Sequence, residues 1–484
     1  MRRIPLLYGS RMLVATAGDD AVVLAPPPPP DRTIADVGAA VRDALRFPLA
    51  GASLETIVPR DAQVTILVEA PGLPIPAAAR TRDPRHTAVV AAAHELERLG
   101  VRSERQTILV TAGLARRPSR KVVESLVTPE FALRFRGEVV VHDAEDPELV
   151  DLGGARVNRA LLDTDVVVTV TAAETVLYGG PAALVAAADA QTQRAAFAES
   201  LLETGRALGW QASLELERLL ASRTPLIGAA LTLDHPTLTG ALLGYPYDRH
   251  AVDRIASSRL ARLFGLLPAP LRMRTLRSLS VELRASAAFG GPPSVAHAEA
   301  LLRAVETRSV ELDEPLDAIC IGIPRLTPHL PRERPNPLLA AYLGLGHALR
   351  LWRDAFPLRD GGTAILLHRF DRHFAHPTQQ PYRAFFRGDD ESAVVDRRSI
   401  ADYRSGRTVH PLLPYADWDG CRPAVERLGR VLVAGCRDAV AARRLGFVPA
   451  HGPTAALEMV SALGARRIGF LLSPPYFPIV TAGS

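Results

Sequence analysis

The segment RVNRALLDTDVVVTVTAAETVLYGGPAALV, residues 156–185, decides the fold that we expect for this chain. Residues 166–171 form a continuous β-branched run, which is typical of a buried parallel strand with apolar side chains on both faces. A polar bend at Glu174 and then Gly179 and Gly180 follow it, at the start of an alanine-rich helix pattern. A strand, a glycine bend and a helix start bring backbone N–H groups to face a ligand. We therefore expect Gly179 and Gly180 to bind a ligand.

Similar apolar runs at residues 64–68, 107–111 and 138–141 predict further strands, and each is followed by a turn. Alternating strands and helices predict a parallel sheet, and ligands bind beyond the carboxyl ends of such strands. The residues that follow these strands should therefore converge on one crevice. The candidates for proton transfer are Glu69, His142 and Glu174, and the candidates for ligand binding are Gly113, Arg116, Arg117, Gly179 and Gly180. The alternative for Glu69 and Glu174 is a structural role in a turn or a helix cap. The alternative for His142 is that of a structural histidine held by its turn.

The second half repeats this pattern with strand-like runs at residues 317–323, 363–368, 431–434 and 468–472. Gly290 and Gly291, followed by two prolines, mark a boundary between domains. The fold class expected is α/β, with two α/β domains of mainly parallel sheets and a cleft between them. Residues 1–290 form the first domain and residues 291–484 a smaller second domain, whose last residues could pack back on the first. Residues 254–283 are predicted to be helical.

Charge and cysteine content limit the kinds of partner. The net charge is +5, but the arginines are interspersed with acids across the chain and aromatic residues make up only 5%. No nucleic-acid partner is expected from this pattern. The chain has three cysteines without a CxxC pair, which favours a reducing compartment, and we expect a cytoplasmic location. No apolar run of about 18 residues is present, and we expect no membrane partner.

One histidine-rich segment follows a predicted strand of the second domain. His368, His373 and His376 have the spacing H-x4-H-x2-H, with Asp371 between the first two. Imidazole and carboxylate groups in such a cluster can ligate a divalent metal. The alternative is a solvated loop of arginine and histidine that lines the cleft.

Four motifs in register resemble the nickel-dependent lactate racemase family. They are ALRFPLAGASLETIV (44–58), ERLGVRSERQTILVTAGLARRP (97–118), VHDAEDPELVDLG with VNRALLDTD (141–165), and AARRLGFVPAHGPTAALEMV (441–460). The resemblance implies two α/β domains with a nickel pincer nucleotide in the cleft, and a reaction that racemises a 2-hydroxy acid.

The positions that carry this chemistry in the family differ here. Ala70 and Leu73 stand where the family has an aspartate and an arginine, and Ala115 stands for a catalytic histidine. No histidine lies between His142 and His235, where the resemblance places a second acid/base histidine and a nickel ligand. The cofactor-bearing lysine would fall near Ala182, whereas Lys121 is the chain's only lysine, so covalent attachment is not expected.

Three hypotheses follow from these residues. The first is a lactate racemase-like protein that has lost the family's catalytic set and binds a small anionic ligand, similar to a 2-hydroxy acid, or a protein partner. The second is an isomerase that holds a nickel pincer nucleotide non-covalently and uses Glu69, Glu174 or His142 as replacement groups. The third is a metal-dependent enzyme built on His368, His373 and His376.

Overall fold

The computed structural model describes most of the chain. The described residues are 2–9, 11–18, 20–31, 33–70, 83–114, 126–258, 263–264, 266–278, 281–324, 336–372, 374, 379–386, 397–408, 411–472 and 475–482. Among these residues, no helix has both the length and the apolar character needed to cross a membrane.

The first sheet has six strands and contains the segment that opened the sequence analysis. In spatial order its strands are Ala285–Gly291, Leu226–Leu233, Val166–Ala172, Val64–Glu69, Gln106–Thr111 and Glu138–Val141. All neighbouring pairs are parallel except Ala285–Gly291, which runs antiparallel to Leu226–Leu233. Every residue of Val166–Ala172 is buried, as expected of a β-branched strand covered on both faces. The predicted parallel sheet is therefore confirmed.

The second sheet is also six-stranded, and all its pairs are parallel. It draws strands from both ends of the chain, in the order Val448–Ala450, Arg430–Ala434, Leu358–Leu367, Leu316–Gly322, Ile468–Leu471 and Val22–Leu24. The α/β class with two mainly parallel sheets is thus as expected. The division at residue 290 stays a prediction; the helix Pro293–Arg308 packs on the first sheet, against Leu226–Leu233 and Ala285–Gly291.

Helices cover the sheets and short strands link their edges. The α-helices are Val37–Arg46, Leu54–Ile57, Pro84–Arg98, Pro129–Arg134, Ala182–Ala186, Ala190–Ala195, Leu208–Ala221, Arg249–Ser257, Ala269–Ser278, Pro293–Arg308, Pro337–Ala341, Gln380–Phe385, Arg397–Arg404, Leu413–Arg427, Ala439–Arg444 and Pro453–Ala462, with a π-helix at Tyr342–His347. The smaller sheets pair Arg2–Tyr8 with Arg11–Ala17, Thr237–Leu238 with Val281–Glu282, Val150–Leu152 with Ala155–Val157, and Ile479–Thr481 with both Val310–Leu312 and Trp352–Arg353.

The single helix predicted over residues 254–283 is wrong. The described residues there include the separate helices Arg249–Ser257 and Ala269–Ser278, helical residues at positions 263, 264 and 266, and the strand Val281–Glu282. Proline explains the interruption just before Ala269–Ser278, because Pro268 and Pro270 lack the N–H group that a helix interior requires. Proline is tolerated in the first turn, where Pro270 lies in the second helix.

Candidate active site

The candidate site lies where neighbouring parallel strands of the first sheet end. Val64–Glu69 pairs with Val166–Ala172, so Glu69 and the bend that contains Glu174 emerge at the same edge of the sheet. Gly179 and Gly180 return to this edge through the bend. The structure therefore brings together four of the residues that the sequence analysis singled out.

Glu69 is bound to the glycine bend. Its Oε2 atom accepts a hydrogen bond from the Gly179 N–H at 2.6 Å. Burial and, to a smaller extent, the negative charge of Glu174 raise the pKa of Glu69 to about 8. The hydrogen bond from Gly179 acts in the opposite direction. The Glu69 side chain is therefore a neutral carboxylic acid at pH 7, held against a backbone amide.

The second amide of the bend is also engaged within the chain. The Gly180 N–H donates to the Thr171 hydroxyl at 2.8 Å. The following helix, Ala182–Ala186, has only five residues and is shorter than the alanine-rich pattern predicts. Both amides expected to face a ligand thus donate to side chains of the first sheet, and ligand binding by Gly179 and Gly180 stays a prediction.

His297, which the sequence analysis missed, packs directly on this bend. It lies on the helix Pro293–Arg308 and its Nε2–H donates to the Thr175 carbonyl at 3.0 Å. A Cβ atom at Gly180 would lie 2.3 Å from the His297 Cβ atom. Burial lowers the pKa of His297 to about 4, so the imidazole is neutral at physiological pH. No sequence pattern marked His297 as a functional residue, because it occupies an inward-facing position of an ordinary amphipathic helix.

Glu174 is buried and belongs to an ion-pair cluster. Arg85 Nη1 donates to Glu174 Oε1 at 3.2 Å, and Arg85 Nη2 lies 2.6 Å from Asp83 Oδ2. Burial alone would lower the pKa of Arg85, but the two carboxylates outweigh it and raise that pKa. The Arg85 charge is therefore balanced by these two acids. Glu69 and Glu174 consequently differ in ionisation: Glu69 is neutral, and Glu174 is a paired carboxylate.

A pair of phenols connects this edge to the second sheet. The Tyr178 hydroxyl lies 3.4 Å from the Tyr342 hydroxyl on the π-helix Tyr342–His347. Burial raises the pKa of Tyr178 to about 12. On the helix Leu413–Arg427, which packs against this π-helix, Asp417 accepts a hydrogen bond from the Tyr382 hydroxyl at 2.5 Å, and burial raises the pKa of Asp417 to about 7. None of these four residues was a candidate from the sequence.

Arg350 ties the segment before Leu208–Ala221 to the second sheet's helices. Its Nε atom donates to the Glu199 carbonyl at 3.2 Å, and its Nη1 atom donates to the Gly420 carbonyl at the same distance. A further bond joins Nη2 to the Ala198 carbonyl. Arg350 is 4% exposed, so its hydrogen bonds are made out of water and hold the two segments in a fixed relation.

His142 has the arrangement of a structural histidine. Its Nε2–H donates to the Ala188 carbonyl at 2.9 Å, and its Nδ1 atom accepts from Asn158 Nδ2 at 3.3 Å. Burial lowers its pKa. Both ring nitrogens are therefore occupied within the chain, which leaves neither to exchange a proton with a ligand. Its catalytic role stays a prediction without geometric support.

The remaining candidates are only partly described. Gly113 has φ +59° at the end of the strand Gln106–Thr111, and a Cβ atom there would lie 3.9 Å from Gln193 Oε1. Arg116 and Arg117 lie outside the described residues. In the histidine-rich segment, His368 is buried and its Nδ1 accepts from the Phe370 N–H at 3.0 Å, while His373 and His376 lie outside the described residues.

Comparisons with known proteins agree on residues 8–180 and on the fold. Residues 8–180 match the family of the lactate racemase N-terminal domain. The lactate racemase apoprotein from Thermoanaerobacterium thermosaccharolyticum is similar in structure, with a TM-score of 0.60 and 13% identity, over 99% of this chain and 100% of that one. A protein from Thermotoga maritima is similar with a TM-score of 0.51 and 11% identity, over 92% of this chain and 97% of that one. No curated protein matches the chain. The resemblance to lactate racemases is thereby confirmed for residues 8–180, and the fold of the chain is similar to that of the lactate racemase apoprotein.

The described residues do not fit the nickel pincer nucleotide. Ala182, at the position that the resemblance gives to the cofactor-bearing lysine, is 3% exposed and has no amine to form the link. Among the described residues no group of three or more His, Cys, Asp or Glu side chains could hold a metal ion. The groups nearest the bend are the carboxyl of Glu69, which is bonded to Gly179, and the imidazole of His297, whose Nε2 is bonded to Thr175 and whose buried Nδ1 has no hydrogen-bond partner among the described residues.

Proposed function

Because its N-terminal domain and its fold are lactate racemase-like, we propose that this protein is a catalytically divergent member of that group, which binds a small ligand without nickel pincer chemistry. One observation carries the proposal. The bend that would receive a cofactor or substrate is satisfied by the chain itself, with Gly179 donating to Glu69 and Gly180 donating to Thr171. The bend contains no lysine that could carry the cofactor, and the resemblance places the family's lysine near Ala182.

The class of ligand is proposed from the cations near the strand ends. Arg85 is balanced by Asp83 and Glu174, so it adds no net positive charge for a ligand. Arg116 and Arg117 follow Gly113 in the sequence, and guanidinium groups bind carboxylates in bidentate geometry. We therefore propose a small carboxylate, similar to a 2-hydroxy acid, held by these two arginines.

The experiment separates binding from turnover. The purified protein is incubated with each enantiomer of lactate and of other 2-hydroxy acids, and the products are resolved by chiral chromatography. The proposal expects no interconversion of enantiomers. It also expects a rise in melting temperature with at least one 2-hydroxy acid, and that rise should be smaller in the Arg116→Ala/Arg117→Ala variant. Interconversion of enantiomers would overturn the proposal.

A second candidate function is supported by the different ionisation of Glu69 and Glu174. Two neighbouring carboxyl groups, one neutral and one ionised, are the arrangement that acid–base enzymes use to donate and accept protons. An isomerase that transfers protons through this pair would need no hydride acceptor. The Gln variants of Glu69 and Glu174 should then abolish an activity while the fold is kept.

Glu217 offers a matched control for that test. It is a buried glutamate whose carboxylate binds the Ser294 N–H at 3.0 Å, beside the amino end of the strand Leu226–Leu233 and therefore at the opposite edge of the sheet. The acid–base function predicts that Glu217→Gln retains the activity that Glu69→Gln and Glu174→Gln lose. Equal activity in all three variants would eliminate the acid–base function.

A cytoplasmic location remains a prediction of the sequence.

A further inference from the structure

One segment of the chain is basic and also rich in leucine. Residues 254–281 contain no aspartate or glutamate. They contain six arginines (Arg254, Arg259, Arg262, Arg272, Arg274 and Arg277) and seven leucines (Leu260, Leu263, Leu266, Leu267, Leu271, Leu276 and Leu279). Residues 105–123 also carry basic residues without an acid, but they contain only two leucines, so residues 254–281 are set apart by combining arginine with leucine.

The structure exposes the leucines of this segment. Leu263 is 58% exposed, Leu266 81%, Leu267 37% and Leu271 51%. Arg274 is exposed beside them on the helix Ala269–Ser278. We call these five residues the leucine–arginine tip. Isolated exposed leucines are normal on a protein surface, whereas here four exposed leucines fall within nine residues of one segment.

The base of the segment is docked firmly on the protein. The helix Arg249–Ser257 packs on the strand Arg2–Tyr8 and buries Val252 and Ile255 against Ile4. Arg254 Nη2 donates to the Leu243 carbonyl at 3.0 Å. The leucine–arginine tip is therefore exposed although the helix Arg249–Ser257, which precedes it, is packed against the protein.

We infer that the leucine–arginine tip binds the surface of an anionic lipid bilayer. Leucine side chains that project from a protein can enter the boundary between lipid headgroups and acyl chains, while nearby arginines remain at the anionic headgroups. Negative lipid charge attracts arginines. Of the six, Arg254 and Arg274 are described as exposed and Arg272 is buried, and the segment contains no acidic residue that opposes the attraction. A second copy of the chain is a poorer occupant, because it would bring this arginine-containing stretch against its own copy with no acidic residue in either stretch.

This inference departs from the expectation of no membrane partner. That expectation relied on the absence of an apolar run of about 18 residues and on the mixing of charges over the whole chain. Neither observation concerns a segment that lies on a membrane surface. No described helix could cross a bilayer, so the contact proposed here is peripheral.

The test is sedimentation of the full chain with vesicles. The vesicles are made of phosphatidylcholine alone or of phosphatidylcholine mixed with phosphatidylglycerol. The inference expects binding to the mixed vesicles only, and loss of that binding at high salt. Leu266→Glu and Leu271→Glu should each weaken binding at least about tenfold, because a carboxylate replaces an inserted side chain and adds repulsion.

Leu133→Glu is the matched control, since Leu133 is also 81% exposed but lies on the distant helix Pro129–Arg134. It should bind vesicles as the unmodified protein does, and melting temperatures should confirm that all three variants are folded. Failure of the unmodified protein to bind the mixed vesicles would overturn the inference. So would equal weakening by Leu133→Glu, or a dimer in solution that Leu266→Glu dissociates while vesicle binding is absent.

Discussion

At the scale of single residues, the bend is set by two glycines that no other residue can replace. Gly180 has φ +54°, and a Cβ atom there would meet the His297 Cβ atom at 2.3 Å. Gly179 has φ +93°, and its Cβ atom would meet the Ala172 carbonyl at 2.2 Å. Backbone conformation and close packing therefore impose glycine independently of any ligand.

Gly180→Ala should destabilise the protein by about 2–4 kcal/mol, since it adds an overlap with His297 to the cost of a positive φ. Gly9→Ala is the matched control, because Gly9 has nearly the same φ, +55°, with no atom within 4 Å of its Cβ position. Its cost should be about 1–2 kcal/mol. Urea denaturation measures both variants, and equal losses would mean that the contact with His297 is not limiting.

The protonation of Glu69 predicts a pH dependence of stability. Its pKa is raised from 4.5 to about 8 in the folded protein. Below pH 4.5 both the folded and the unfolded states are protonated; as pH rises toward 8, the unfolded state loses its proton first, so the free energy of unfolding falls. Glu69→Gln removes this loss and should gain stability relative to the unmodified protein between pH 5 and pH 8. Parallel pH profiles of the two proteins would contradict this protonation state.

The sequence indicated the positions of candidate residues but not the groups that their side chains contact. Glu69 and Glu174 were singled out because they follow predicted strands, and the structure brings them to one edge. That Glu69 binds Gly179 depends on a contact between residues 110 positions apart in the chain, which no local pattern encodes. His142 likewise looked suited to proton transfer, although both of its ring nitrogens are bonded within the chain.

At the scale of elements, the start of the helix Pro84–Arg98 supports the candidate site. Arg85 lies in its first turn and joins Asp83, the residue that caps this helix, to Glu174 at the end of a neighbouring strand. The helix and the strand end are thus linked through one guanidinium group between two carboxylates.

Arg85→Met should destabilise the protein by about 3–5 kcal/mol, because it removes the cation that compensates two buried carboxylates. In the double variant Arg85→Met/Glu174→Gln, part of this loss should be recovered, since one of the two buried charges is gone. Denaturation of the two single variants and the double variant measures the coupling. Strictly additive losses would show that the pair contributes no coupling energy.

Strong apolar runs made the strands predictable. The bounds of the helices in residues 254–281 could not be predicted in the same way. The strand predicted at residues 138–141 is Glu138–Val141, and the run at 166–171 became Val166–Ala172. Residues 254–283 have the composition of a helix but contain Pro268 and Pro270, and the prediction gave too little weight to both.

At the scale of the whole molecule, polar contacts join the elements around the first, mainly parallel sheet to those around the second. The Tyr178 and Tyr342 hydroxyls meet at 3.4 Å, and Arg350 bonds to the Glu199 carbonyl and to the Gly420 carbonyl. The sequence pattern predicted two sheets. It did not predict that Val22–Leu24 joins the sheet of the second half, because pairing between distant strands leaves no trace in local periodicity.

We propose that this lactate racemase-like scaffold functions without the nickel pincer nucleotide. The most direct measurement is intact mass and nickel content of the protein produced in a host that makes this cofactor. We expect the mass of the unmodified chain and nickel far below one equivalent, because Ala182 offers no amine and the bend's amides bind Glu69 and Thr171. Stoichiometric nickel, together with a nucleotide-sized molecule released on denaturation, would contradict the claim.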